Sequence, residues 1–202
     1  MIKRFFVVLM RSIRPPADRL RTVAVAFAVF AIMNLMNLSW AQSEAEQVLE
    51  RRVKAAFLYR FTEFVTWPEE ELPDPGQPFV IAVIGPDNIA DELRQVVAGR
   101  AIQGRPVEVR RLNDENGLAT EHIVFISDSA RRRLPQIIRA APREALIVTE
   151  SDGALTQGSI INFVLVDGRV RFEIALDAVE HRGLRLSSRL LAVAQAVRTG
   201  PP

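Results

Sequence analysis

Three short apolar runs decide most of what this chain can fold into: FVIAVIG at residues 79–85, HIVFIS at 122–127 and ALIVTE at 145–150. A strand with one face in water alternates apolar and polar residues. A strand covered on both faces reads as a continuous apolar run, which is the habit of parallel sheets. Helical patterns lie between the runs. Ile89, Leu93, Val96 and Val97 share one helical face after Asp87 or Asn88, each able to cap it, and Gly99 closes that segment. Leu134, Ile137 and Ile138 form a second face after the candidate caps Asp128 and Ser129. RPVEVRRL, at residues 105–112, alternates through Val107 and Val109 and reads as a further strand. Strands separated by helices imply a mainly parallel sheet covered by helices.

The pattern changes after residue 159. IINFVLVDGRVRFEI holds two alternating runs around Asp167-Gly168, a dipeptide suited to a two-residue type I′ turn. That turn sets Val166 opposite Arg169, Leu165 opposite Val170, Phe163 opposite Phe172 and Ile161 opposite Ile174. Ile161, Phe163, Leu165, Val170, Phe172 and Ile174 then form a core face. Asn162, Val164, Val166, Arg169, Arg171 and Glu173 face solvent or a partner. A last helix begins at Ser187 or Ser188 and carries Leu190, Val193, Ala194 and Val197. The fold class is therefore α/β: a mixed sheet of mainly parallel strands, with a C-terminal antiparallel hairpin, covered by helices.

VKAAFLYRFTEFVTWP, residues 53–68, holds three phenylalanines, a tyrosine and a tryptophan. On a helical wheel Val53, Phe57, Leu58, Phe61, Phe64, Val65 and Trp67 occupy about half the circumference, so the segment reads as a helix lying on a core. Tyr59, Thr62, Glu63 and Thr66 lie opposite. Arg60 sits at the flank of the apolar arc, where it must snorkel or pair with a carboxylate such as Glu63 or Glu173. Pro68 ends the helix and opens a polar loop that begins Glu69-Glu70-Glu71.

Ahead of this segment, Lys3, Arg4, Arg11, Arg14, Arg19 and Arg21 lead into an apolar run at 23–38, followed by Ser39-Trp40-Ala41. This is the layout of a secretory signal cut after Ala41, and the run, interrupted by Asn34 and Asn37, is short for a membrane anchor. The expected organisation is a signal peptide over 1–41 and one domain over 42–202, exported to the periplasm. The formal charge of +2 rests on the leader, and the remainder is acidic on balance, which argues against a nucleic-acid role. The chain has no cysteine, so disulfides, thiol nucleophiles and thiolate metal sites are excluded.

Catalytic signals are weak. His122 and His181 lack metal-ligand partners at a useful spacing. Ser127, Ser129 and Ser151 follow strands without a Gly-x-Ser-x-Gly setting and read as caps or turns. GPDNIADEL lacks the glycine series of a phosphate loop. Asp128, Glu150 and Asp152 all fall at strand ends, where a pair of carboxylates can meet. Arg131, Arg132 and Arg133 point three ways from a helix and read as a solvated face.

Three motifs in order resemble the YfiR family of periplasmic regulators, the DUF4154 domain: VKAAFLYRFTEFVTWP, GRAIQGRPVEVRRL and INFVLVDGRVRFEIALDAVEHRGLRLSSRLLAVA. The likeness runs from about residue 48 to 197. It implies a non-enzymatic protein without cofactor or metal that restrains the periplasmic sensory domain of an inner-membrane signalling protein, a diguanylate cyclase or a sensor kinase. It also implies an outer-membrane lipoprotein as a second partner, and leaves a homodimer open. Two departures stand out: Ala175 replaces the family's usual asparagine, and the disulfides of some members have no counterpart. The candidate partner-binding residues are Tyr59, Trp67 and Glu70 on the opening segment, and Asn162, Val164 and Arg171 on the hairpin's outward face. The alternative function is a small-molecule sensor with a pocket at the sheet's C-terminal edge.

Overall fold

The computed structural model describes residues 44–68, 74, 76–85 and 88–200. The leader over 1–41, Glu70 and Asp87 lie outside the described residues. The chain divides into a unit Met1–Gln47, of which only residues 44–47 are described, as helix, and a unit Val48–Pro202 that holds the sheet.

The second unit begins with α1, helical over residues 48–61. There follow β1 (Val65–Thr66), β2 (Phe79–Ile84), α2 (Ile89–Val97), β3 (Ala101–Ile102), β4 (Arg105–Leu112), β5 (Ile123–Ile126), α3 (Leu134–Ala140), β6 (Leu146–Thr149), β7 (Ile161–Val166), β8 (Arg169–Ala175), α4 (Leu176–His181), β9 (Arg185–Leu186), α5 (Ser188–Val193) and β10 (Ala196–Arg198). The main sheet runs β10-β8-β7-β6-β5-β2-β4-β3. From β4 to β7 every neighbour is parallel; β8 runs antiparallel to β7, and β10 is parallel to β8. The expected mixed sheet with its hairpin is what forms, and β2, β5 and β6 are buried at every residue.

The hairpin register is the one its turn demands. Asp167 and Gly168 both take positive φ, 51° and 70°, and the pairs run from Val166 with Arg169 to Ile161 with Ile174. Phe163 and Phe172 face each other and are 3% and 2% exposed. The aromatic stripe of α1 covers them. Phe57 and Phe61 make edge-on contacts with Phe172 at 5.5 Å and 5.3 Å, and Phe61 stacks on Phe163 at 5.9 Å. Aromatic pairs at such separations add to the area they bury. The opening stretch is thus core rather than a cofactor box.

Four expectations fail for identifiable reasons. The helix drawn through Trp67 ends at Phe61: Thr62 turns its hydroxyl onto the Tyr59 carbonyl at 2.6 Å, and Val65–Thr66, β-branched, pair as a strand with β9. The C-terminal helix stops at Val193, so Val197 is not helical. Gln195 N–H bonds to the Phe172 carbonyl at 2.8 Å, and β10 then covers the backbone edge of β8. The capping expectations fail as well. Asn88 and Ser127 occupy N-cap positions without a side-chain cap bond, and α3 starts only at Leu134, after a 3-10 segment over Asp128–Arg133. Finally, Leu165 of the supposed core face is 57% exposed, while Asn162 of the supposed outer face is 4% exposed.

Candidate functional site

The carboxyl ends of β5, β6 and β7 border a cleft of about 610 Å³ lined by Glu50, Lys54, Asp128, Glu150, Asp152, Phe163, Val164 and Leu165. Parallel strands point their successive loops at one edge of the sheet, so residues distant in sequence meet there. Asp128, Glu150 and Asp152, noted as strand-end carboxylates, do converge on this cleft.

Its centre is Lys54 of α1, a buried cation. Lys54 Nζ donates to Glu150 Oε2 at 2.6 Å and to Glu50 Oε1, one turn back on its own helix. Glu150 Oε1 in turn accepts the Asp128 backbone N–H at 3.1 Å. Burial works against the Lys54 ammonium, but the charges and hydrogen bonds of Glu150 and Glu50 outweigh it and hold its pKa above the ordinary 10.5. Lys54 faces Glu50, Glu150, Asp128 and Asp152, and Arg131 lies 3.7 Å from Asp128, so two cations stand against four carboxylates and the cleft is acidic on balance. Phe163, Val164 and Leu165 supply an apolar wall. The arrangement suits a cationic group carried on an apolar body. The sequence offered Lys54 only as a polar break in the aromatic segment, and a lysine among phenylalanines was the available signal.

Beside the cleft, Ser127 Oγ lies 2.6 Å from Ser129 Oγ. Gly85 is obligatory there: it has φ +134°, and a Cβ on it would stand 2.0 Å from Ser127 Oγ. Ser127 is fully buried. Among the described residues no cluster of His, Asp or Glu has a metal-holding arrangement.

A second cavity, of about 470 Å³, lies at the opposite end of the strands, against Trp67, Val80, Glu121 and His122. His122 stacks on Phe79 at 4.4 Å and accepts the Val80 N–H on Nδ1 at 3.1 Å. Burial, with help from the Arg105 charge, pushes the imidazole below its ordinary 6.5. Glu121, 2% exposed, is satisfied by Arg110 Nη1 at 2.5 Å and the Ala119 N–H at 2.7 Å. His122 and Glu121 have these partners, whereas the buried Trp67 Nε1 has none among the described residues.

The sequence-derived partner residues separate into distinct groups. Val164 lines the cleft, and Arg171, its cross-strand partner, is exposed. Asn162 is buried and accepts a 2.7 Å bond from Thr149 Oγ1. Its burial departs from a one-sided reading of β7 because β6 lies alongside at Asn162, pairing it with Thr149. Trp67 is 2% exposed, edge-on to Phe79 at 5.1 Å. Neither Asn162 nor Trp67 offers its side chain to a partner. Tyr59 is half-buried, with the Arg100 guanidinium 5.0 Å over its ring. Arg60 is exposed and makes no ion pair among the described residues, with neither Glu63 nor Glu173 as its partner. Glu70 lies outside the described residues.

The DUF4154 family model, described as YfiR/HmsC-like, matches residues 51–195. No curated protein matches the chain. Among solved structures, the ABC domain in complex with L-Trp from Streptococcus pneumonia is similar at 11% identity, covering 59% of this chain and 55% of that one, with a TM-score of 0.45. A conserved domain protein from Vibrio cholerae O1 biovar eltor str. N16961 is similar at 12% identity, covering 59% and 54%, with a TM-score of 0.43. The chain spans little more than half the length of these two structures, and at such scores the likeness carries no argument.

Proposed function

Because the chain belongs to the YfiR/HmsC-like family, whose members are periplasmic regulators, we propose that it is a cleaved, exported, non-enzymatic regulator. Its client would be the periplasmic sensory domain of an inner-membrane signalling protein, a diguanylate cyclase in the first instance and a sensor kinase in the second. The observation that carries this reading is the match itself, which spans nearly the whole sheet unit, from α1 to the residue before β10. The hairpin tip supports it: Leu165, 57% exposed, stands beside Val164 and the anionic cleft. An apolar contact with a charged rim is the usual layout of a protein interface.

Regulation then needs no chemistry. A chain that binds one state of its client more tightly draws the client into that state. A surplus of ~3 kcal/mol gives about a hundredfold shift. An outer-membrane lipoprotein that competes for this chain would reverse it by mass action.

The test is a pull-down and titration with the periplasmic domain encoded by the neighbouring gene. The exported chain should bind, and Leu165→Asp and Val164→Asp should stay folded by circular dichroism yet bind at least about tenfold more weakly. Tyr59→Ala tests the α1 surface separately. Full binding by all three folded variants removes these surfaces from the proposal.

The cleft favours one second reading, a sensor for small cationic amphiphiles. Thermal-shift screening separates the two, since a ligand that binds only the folded state raises apparent stability. A parent chain that binds no neighbour but is stabilised by an amine places the second reading first.

A further inference from the structure

The chain has two histidines, and they differ in burial: His181 is exposed and His122 is 8% exposed. The His122 ring closes a gap in the sheet. Val80 lies one residue ahead of the first β2–β5 pair, Ile81 with Ile123. Its carbonyl accepts the His122 backbone N–H at 2.9 Å, and its own N–H goes to His122 Nδ1 at 3.1 Å. A side chain thus supplies the acceptor at the point where β5 has not yet begun.

That bond dictates the state of the ring. Nδ1 accepts with its lone pair, so the proton of the neutral imidazole sits on Nε2. An imidazolium carries a hydrogen on both nitrogens and accepts nothing. Turning the ring over would set Cδ2 against Val80, which is no acceptor either. Protonation therefore breaks the Val80 bond in every orientation. Val80 is 5% exposed, so its N–H does not fall back on solvent while β2 keeps its place.

The surroundings offer the imidazolium little in return. Glu121 is committed to Arg110 and to the Ala119 N–H, and Arg105 is a like charge. Asp74 and Glu144 line the cavity with the ring, but one is exposed and the other half-buried, so solvent weakens what they contribute. The ring also ends an aromatic row. It stacks on Phe79, and Phe79 meets Trp67 edge-on. Trp67 Nε1 is buried without a hydrogen-bond partner among the described residues. An orphan donor favours an open state in which water satisfies it.

We propose that His122 is an acid-sensitive latch: neutral, it pins the start of β2 and keeps Trp67 covered; protonated, it releases this end of the strand and lets water reach the indole. Ile81–Ile84 keep their pairs with β4 and β5, so the release is local. In the released state the ring returns toward its ordinary 6.5, and in the closed state it binds its proton less tightly. The latch therefore holds fully above 6.5 and loosens as pH falls through the lower, closed-state value. A periplasmic chain meets the acidity of the medium, which is what the latch reads. The latch is independent of the client reading above.

The sequence supplies clean probes. Trp40 and Trp67 are the two tryptophans, so Trp40→Phe in the full chain makes Trp67 the one fluorophore of its kind. His122 and His181 can be followed separately by NMR, with the exposed His181 as reference. As pH falls below 6.5, Trp67 emission should move to the red and become open to acrylamide. The change should track the His122 titration while the far-ultraviolet circular dichroism stays constant. His122→Asn sets an amide oxygen near the place of Nδ1 and takes up no proton, so it should abolish the transition; His181→Asn should leave it intact. Should His122→Asn not fold, the two titrations in the Trp40→Phe chain decide alone. Trp67 emission that stays constant through the His122 titration, a transition that survives in folded His122→Asn, or a red shift that comes only with loss of the far-ultraviolet signal overturns the proposal.

Discussion

At the base of the β7–β8 hairpin Phe163 and Phe172 are 3% and 2% exposed; one alternation nearer the turn, Leu165 is 57% exposed. The two places share one strand, one turn and one apolar pattern. They differ in their neighbours. β6 pairs with β7 only at Val148–Ile161 and Thr149–Asn162, so the hairpin projects past the sheet from there on. At the base, α1 lays Phe57 and Phe61 on one face, and Asn162 is drawn into a polar network on the other. At the tip, β8 is the only strand beside β7 among the described residues. Alternation tells which residues share a face, while burial depends on how far the neighbouring strands run. The base is therefore the place for stability, and the tip is the surface that the proposed client contact uses.

The largest expected break is at the base. Phe172→Ala removes the ring that meets both Phe57 and Phe61, and should cost ~3–5 kcal/mol in urea melts, a large part of a domain's stability. A loss comparable to that of a tip substitution would mean the base is not the anchor.

The next effect holds α1 over that base. Lys54→Met leaves Glu150 half-buried without its cation and should cost ~3 kcal/mol. The pH dependence sharpens this. The folded Lys54 binds its proton more tightly than the unfolded chain, so the pair's contribution is fully present below about 10.5 and lost as pH rises through the folded value. The gap between parent and Lys54→Met should be flat on the neutral side of 10.5 and close above it. A gap that persists into strong alkali would assign the loss to packing instead.

The parts legible in the sequence were those fixed by local chemistry. Asp167-Gly168 set the hairpin register, and the continuous apolar runs set the parallel strands. What stayed hidden was set at long range. Trp67 was expected at the edge of a helix and is buried after a short strand whose partner, β9, lies 120 residues away. Val197 was read as helical because its spacing fits, while the exposed edge of β8 draws it into a strand. The cleft was visible only as strand-end carboxylates; the lysine at its centre comes from a helix at the far end of the unit.

Asn162→Ala takes the base from its polar side. Thr149 Oγ1 lies 2.8 Å from Ser159 Oγ and donates to Asn162 Oδ1. Losing the amide leaves a buried hydroxyl short of a partner, which should cost ~1–3 kcal/mol. Asn162→Asp keeps the acceptor but buries a charge, and should be no better tolerated at neutral pH. A near-neutral alanine variant would mean that Ser159 and the Ile161 carbonyl, 3.4 Å from Thr149 Oγ1, satisfy Thr149 without the amide, and that the base is held by its aromatic side only.

The smallest effect belongs to the tip, and it separates the two regions most cleanly. Arg171 is exposed opposite Val164. Arg171→Ala should cost well under ~1 kcal/mol. Leu165→Asp should also be nearly neutral, since the leucine is 57% exposed in the folded chain and gives up little burial. The same substitution places a charge in the apolar wall of the cleft, beside Val164 and across from carboxylates already there. Any partner seated on that wall must then desolvate an aspartate, a penalty paid only on binding. The expected signature is an unchanged urea midpoint with an affinity at least about tenfold weaker. A midpoint that falls as far as for Phe172→Ala would show that the tip is buried like the base, and the division of the hairpin into a stabilising half and a binding half would fail.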